Sequence, residues 1–158
     1  MTEGAYFQDI GYYLLIERSG NVVKRIFFSS EPPSEHSELA ERIIRNVVDG
    51  APCSDIELDF SGLTEFQRKV LSIVRNIPPG VVMTYGDVAA MAGSPGAARA
   101  VGRVMASNPF AIVVPCHRVV AKQGLGGYSC GLSVKKKLLE LEKDVEAVHS
   151  TSDNERKS

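Results

Sequence analysis

The run Ile112-Val113-Val114-Pro115-Cys116-His117-Arg118-Val119-Val120 constrains this 158-residue chain more than any other stretch. Its two ends read as buried strand, but Pro115 has no amide proton to give to a ladder and interrupts the strand in its middle. His117 and Arg118 then follow in apolar surroundings, where such groups are costly unless partners reach them. The fold must bring those partners from elsewhere in the chain, and it must hold the Cys116 thiol in a defined place. Cys116 is therefore the candidate nucleophile. A thiol attacks as thiolate, so a resting pKa of about 8.5 has to be lowered or its proton taken by a base. His117 is the nearest base, but neighbouring side chains do not face each other, and a bridging water is the more natural relay. Glu142, in the last helical stretch, can accept from the other imidazole nitrogen and fix its tautomer. A single cysteine in an apolar run is more commonly a small buried hydrophobe. The proline before it and the His-Arg pair after it weigh toward chemistry, because such polar groups are seldom buried unpaired.

The remaining cysteines, Cys53 and Cys130, form no Cys-x-x-Cys with Cys116 or with each other, and the three histidines are scattered. An odd, unpaired set fits reduced intracellular thiols, and no three or four ligands have the spacing of a zinc site, so no metal is expected. No window approaches the roughly 18 consecutive apolar residues of a membrane span. The acidic start MTEGAYFQDIG lacks the basic and apolar segments of a signal peptide, and the expected location is cytoplasmic. The net charge of −1 hides an asymmetry. Residues 1–61 carry 5 basic and 11 acidic residues, whereas residues 62–146 carry 11 and 6. Between residues 66 and 137 there are ten basic residues and a single acid, Asp87. Such a region suits a polyanionic partner, and it equally suits a solvated basic face without one.

Two domains are expected in an α+β chain. In residues 1–61, GYYLLIERSGNVVKRIFFSS reads as two strands around Ser19-Gly20-Asn21. SELAERIIRNVVDG sets Leu39, Ile43, Ile44, Val47 and Val48 on one helical face with Gly50 as the stop, and residues 55–60 form a short strand. Residues 62–148 turn helical. A Thr64-x-x-Gln67 capping box opens a helix that ends at Pro78-Pro79-Gly80. TYGDVAAMAG (84–93) is a second helix, and residues 94–109 a third, with Ser94 as N-cap and Pro95 in first position. Two short helices across a Gly-Ser-Pro-Gly turn have the shape of a helix-turn-helix. A last helix over 133–148 turns Val134, Leu138, Leu141 and Val145 inward, and residues 149–158 are a polar tail expected to be disordered.

Residues 64–142 resemble the O6-alkylguanine-DNA alkyltransferases almost without gaps. The motifs are PCHRVV (115–120), TYG (84–86), AARAVG (97–102), Asn108-Pro109 and GYS (127–129), in that order. The resemblance implies DNA repair by direct, stoichiometric transfer of an alkyl group from O6 of guanine, and possible activity on O4 of thymine, to Cys116 without any cofactor. The damaged base leaves the duplex, because a thiol cannot reach the alkyl carbon inside it. It implies that His117 takes the thiol proton through water, that Glu142 orients His117, and that Asn108 stitches the helix-turn-helix to the active-site segment. Tyr85 then bonds the flipped guanine and helps protonate it. Val119, Tyr128 and Ser129 line the pocket, with Cys130 where the family commonly has glycine. Arg99 fills the gap in the base stack, while Ala98, Thr84, Arg103 and Arg118 contact double-stranded DNA. The implied contact is through the minor groove, largely independent of sequence, by a monomer. Arg99 alone reads as readily as a phosphate contact, and Glu142 alone as part of a solvated face. Two rivals remain: a lesion-binding module without chemistry, and a cysteine hydrolase using Cys116 and His117 on a small substrate.

Overall fold

The computed structural model describes residues 2–126 and 131–143. The first part is a five-stranded sheet built from β1 (Glu3–Phe7), β2 (Tyr12–Ser19), β3 (Val22–Ser29), β4 (Glu35–His36) and β5 (Glu57–Leu58), in the order β4-β1-β2-β3-β5. The three long strands are antiparallel, and the two short edge strands pair in parallel. Ala5 opposes Leu14 and Ile16 opposes Ile26, so alternate side chains of the three strands meet on one face. The two-residue link Gly20-Asn21, with Gly20 at φ +59°, closes the hairpin between β2 and β3.

Helix α1 (Glu38–Asp49) covers that face. Ser37 caps it, accepting from the Ala40 amide at 3.0 Å and donating to Glu3 at 2.8 Å, which ties the helix start to β1. Its buried residues are Ala40, Ile43 and Val47. The five-residue apolar face expected from the sequence is thus narrower: Leu39 and Ile44 pack at its margins and Val48 is 39% exposed. One seam of i, i+3, i+7 spacing suffices against a flat sheet.

In the second part, α2 (Glu65–Arg75) opens with the expected reciprocal Thr64–Gln67 box. A short strand β6 (Met83–Thr84) leads into α3 (Tyr85–Met91), which has a second such box between Thr84 and Asp87. Helix α4 (Ala98–Ala106) starts three residues later than expected. Ala97 is its N-cap and makes no side-chain cap. Ser94 to Ala97 forms a turn instead, closed by the Ala97 amide on the Ser94 carbonyl at 2.9 Å. Proline followed by glycine suits the two central positions of such a turn better than a helix start. After α4 come a single 3₁₀ turn (Cys116–Arg118) and β7 (Val119–Val120), which pairs in parallel with β6. Helix α5 covers residues 132–143. Val145 and the 149–158 tail lie outside the described residues.

Two cores result, and they do not divide at residue 62. The first joins the sheet and α1 to Ala111, Ile112 and Val113 and to Val134 and Leu138 of α5. The second joins α2, α3 and α4 to Phe110, Val114, Cys116 and Val119. The segment 109–114 crosses between them. It is pinned to β3 by the Ile26 amide on the Pro109 carbonyl (2.8 Å) and the Ala111 amide on the Ile26 carbonyl (3.1 Å).

Candidate active site

Two tight turns deliver Cys116. Asn108 sets the first course: its Oδ1 accepts from the Phe110 amide and its Nδ2 donates to the Val114 carbonyl, both at 3.0 Å, so one side chain brackets the loop. Ile112 then stands at φ +72° with the Val113 amide bonded to the Ala111 carbonyl at 2.9 Å, a γ-turn of the strained, positive-φ kind. Pro115, at φ −78° and ψ 67°, centres a second three-residue turn, in which the Cys116 amide reaches the Val114 carbonyl at 2.7 Å. That is the relaxed inverse γ-turn, and a ring that fixes φ near −65° holds it ready-made. The proline that cannot belong to a central strand is what places the thiol.

Cys116 is 3% exposed, His117 and Lys135 are fully buried, Glu142 is 1% and Arg118 8% exposed. His117 Nε2 lies 2.6 Å from Glu142 Oε1. The same oxygen accepts from Arg118 Nε (2.9 Å) and Nη2 (2.6 Å), and Arg118 Nη1 donates to the Ile77 carbonyl at 2.6 Å. Burial works to raise the Glu142 carboxyl, but the hydrogen bonds from His117 and Arg118 and the positive charge of Arg118 outweigh it and lower it to about 2. The Glu142 carboxylate is therefore charged. Burial also pushes the His117 imidazole below its usual range, with Glu142 opposing, so the ring is neutral. A neutral ring facing a carboxylate through Nε2 carries its proton there, which leaves the Nδ1 lone pair for an incoming proton. Nδ1 has no partner among the described residues, and neither has Glu142 Oε2.

Lys135, which no motif in the sequence marks, is the other buried cation. Its Nζ donates to the Val119 carbonyl at 2.7 Å. Burial lowers its pKa, and the charge of Cys116 acts in the opposite sense, so the ammonium and the sulfur are within electrostatic reach. The signal in the sequence was positional: 135, 138 and 142 share one face of a helix. Val119 is itself fully buried, with one lone pair of its carbonyl taken by Lys135. Tyr85 opens α3 and is half-buried. A Cβ on Gly126 would stand 2.6 Å from the Tyr85 hydroxyl, and Gly126 has φ +72°, so only glycine allows this loop to lie against the tyrosine. Tyr128, Ser129 and Cys130 lie outside the described residues.

Arg118 does not present itself to DNA as the sequence led one to expect. Its guanidinium is buried and bonded to Glu142 and Ile77, and an exposed alternative would strand the Glu142 charge. Arg99 and Arg103 do stand exposed on α4, one turn apart. Ala98 is half-buried beside them, and Gly102 has open space where a side chain would be. Thr84 Oγ1 is engaged as the cap of α3, accepting from the Asp87 amide at 3.0 Å. The described residues contain no cluster of three metal-ligating side chains.

Residues 65–144 match the family model described as the DNA binding domain of 6-O-methylguanine DNA methyltransferase. The chain is 42% identical over 142 residues to a methylated-DNA–protein-cysteine methyltransferase of Methanothermobacter thermautotrophicus, an overlap of 88% of this chain and 78% of that one. It is 51% identical over 90 residues to the protein so named in Mycobacterium tuberculosis, covering 56% of this chain and 54% of that one. Two solved structures are similar over nearly the whole fold. A crystal structure of Mycobacterium tuberculosis OGT in complex with DNA gives a TM-score of 0.79 at 35% identity, covering 91% of this chain and 93% of that one. The O6-methylguanine-DNA methyltransferase from Pyrococcus kodakaraensis gives 0.77 at 32% identity, covering 90% and 99%.

Proposed function

Because the chain belongs to the methylated-DNA–protein-cysteine methyltransferase family, we propose that it repairs DNA by moving an alkyl group from O6 of guanine onto Cys116. One observation carries this assignment: a buried thiol delivered by fixed turns beside a neutral His117 whose far nitrogen is clamped to a charged Glu142. The damaged nucleotide swings out of the duplex, since the alkyl carbon is beyond reach inside it. Arg99 takes its place in the stack, and Arg103, Ala98 and Thr84 line the approach of α3 and α4 to the minor groove. Contacts there are largely with the backbone, and binding is insensitive to sequence. The protein acts as a monomer in the cytoplasm, and O4 of alkylated thymine is the second substrate to be assayed.

The thiol proton passes through a water to His117 Nδ1, and Glu142 stabilises the imidazolium that forms. The sulfur attacks the alkyl carbon; the S–C bond forms as the C–O6 bond breaks, and the electron pair stays with the guanine. Tyr85 donates to the ring, and guanine ends with the one proton that the thiol gave up. Lys135 acts as a positioning residue, holding the Val119 carbonyl and placing a positive charge near the sulfur. Tyr128, Ser129 and Cys130 complete the pocket. The thioether has no route back, so each molecule reacts once.

Intact-mass measurement after mixing with excess duplex bearing one O6-methylguanine tests the whole scheme. Wild type is expected to gain one methyl group and never a second, and Cys116→Ala none. Unmodified wild type that still binds the lesion would leave a lesion sensor, and turnover of a small ester without DNA would leave a hydrolase. For Lys135, Lys135→Met is expected to raise the pH at which Cys116 is alkylated by iodoacetamide; an unchanged profile would remove its charge from the mechanism.

A further inference from the structure

A second cleft lies between the two cores, away from the thiol. It encloses about 400 Å³ between the C-terminal ends of α1 and α2, with the Ile112-Val113 turn on one wall. Arg75 and Arg118 both line it, and among the described residues no aspartate or glutamate does. Arg118 uses three of its five N–H groups on Glu142 and Ile77, which leaves one hydrogen on each terminal nitrogen. Arg75 bonds the carbonyls of Cys53, Ser54 and Ile56 through Nη2 alone, leaving Nε and Nη1 without partners among the described residues. The nearby carboxylate, Asp55, is held by Arg42 at 2.6 Å. Cys53 adds no negative charge, since burial pushes its thiol upward. Val47, Pro52 and Pro78 supply apolar wall. Ile112, the only non-glycine residue with positive φ among those described, forms part of the same lining, and strain of that kind accumulates at ligand clamps and functional sites.

Two guanidinium groups with unused donors, facing one enclosed and acid-free space, match the fork geometry of an oxyanion. We propose that this cleft binds a small organic oxyanion, a phosphate monoester on a compact apolar body, and that the bound anion reports to the active site through Arg118. The same guanidinium grips the anion on one side and Glu142 on the other. An occupied cleft therefore competes with Glu142 for the Arg118 charge, the carboxylate that orients His117 is held less firmly, and methyl transfer slows. Binding itself does not depend on the alkyl-transfer chemistry.

Phenyl phosphate is the probe, with phenol as its neutral counterpart. Calorimetric titration of the DNA-free protein is expected to show one saturable site for phenyl phosphate and none for phenol. Ser54→Glu and Asn76→Asp each put a carboxylate at the rim, on exposed positions outside the catalytic network, and each should weaken binding roughly tenfold. Methyl transfer by wild type should slow with the same half-saturation, and the two variants should shift that midpoint in step while keeping their basal rates. Absence of binding overturns the site, and so does binding that neither variant weakens, which would assign the anion to Arg99 and Arg103 on α4. Binding with an unchanged transfer rate overturns the link to Glu142.

Discussion

Glu142 gathers three donors on one oxygen, and that geometry predicts what its loss does. Glu142→Gln removes the charge that offsets buried Arg118, and breaking such a pair costs about 3–5 kcal/mol. Thermal melts should show that loss, and alkyl transfer should slow beyond what the remaining folded fraction explains. The pH dependence has a defined sign. His117 is depressed in the folded chain, so stability is full above the normal imidazole pKa and declines as pH falls through about 6.5, where only the unfolded chain takes the proton. Glu142 titrates near 2 instead of the usual 4.5, so its contribution is present above 4.5 and is lost between there and 2. Melting temperature measured against pH should fall in both windows for wild type, and Glu142→Gln should show a smaller fall in the acid one, where Asp55, Asp59 and Asp87, also held below their usual values, still contribute.

At the level of elements, the loop that follows β7 works by what it omits. Gly126 lets backbone lie against the Tyr85 hydroxyl, where a Cβ would be 2.6 Å away and φ is unfavourable for any other residue. Gly126→Ala should therefore displace either the loop or Tyr85. The expected result is a drop of roughly tenfold or more in the alkyl-transfer rate, with a melting temperature near that of wild type, because residues 122–125 beside Gly126 are exposed and none of them belongs to either core. Equal loss of stability and rate would mean that the loop is structural. The same economy explains α4. Alanines and Gly102 keep its surface low, and Arg99 and Arg103 rise from it at adjacent turns.

On the scale of the whole molecule, the helical half cannot be cut free at residue 62. Ile112, Val113, Val134 and Leu138 belong to that half by sequence and to the sheet core by packing, and each is no more than 4% exposed. A fragment of residues 62–158 would bare them together with the strand contact at Phe110, and burial of such side chains contributes roughly 1.5–3 kcal/mol each. It should lack a cooperative thermal transition, whereas the full chain should unfold in one step by both circular dichroism and tyrosine fluorescence. A fragment with its own sharp transition would show the two cores to be independent.

Local rules make much of the molecule legible in the sequence alone. The Thr64 capping box, Gly50 as a helix stop, the hairpin at Gly20 and the thiol-bearing Pro-Cys-His-Arg run all depend on residues within a few positions of one another. The Ser94-Pro95 helix start failed under an equally local competitor, a Pro-Gly turn, and periodicity alone overstated the apolar face of α1. What no local rule carries is the identity of partners separated by tens of residues. Arg118 looked like a DNA contact until the fold set Glu142 and the Ile77 carbonyl against it, and nothing local marked Lys135 until α5 was laid on the sheet. A buried charge is stable only where the chain supplies its counterpart, and only tertiary structure decides which groups meet.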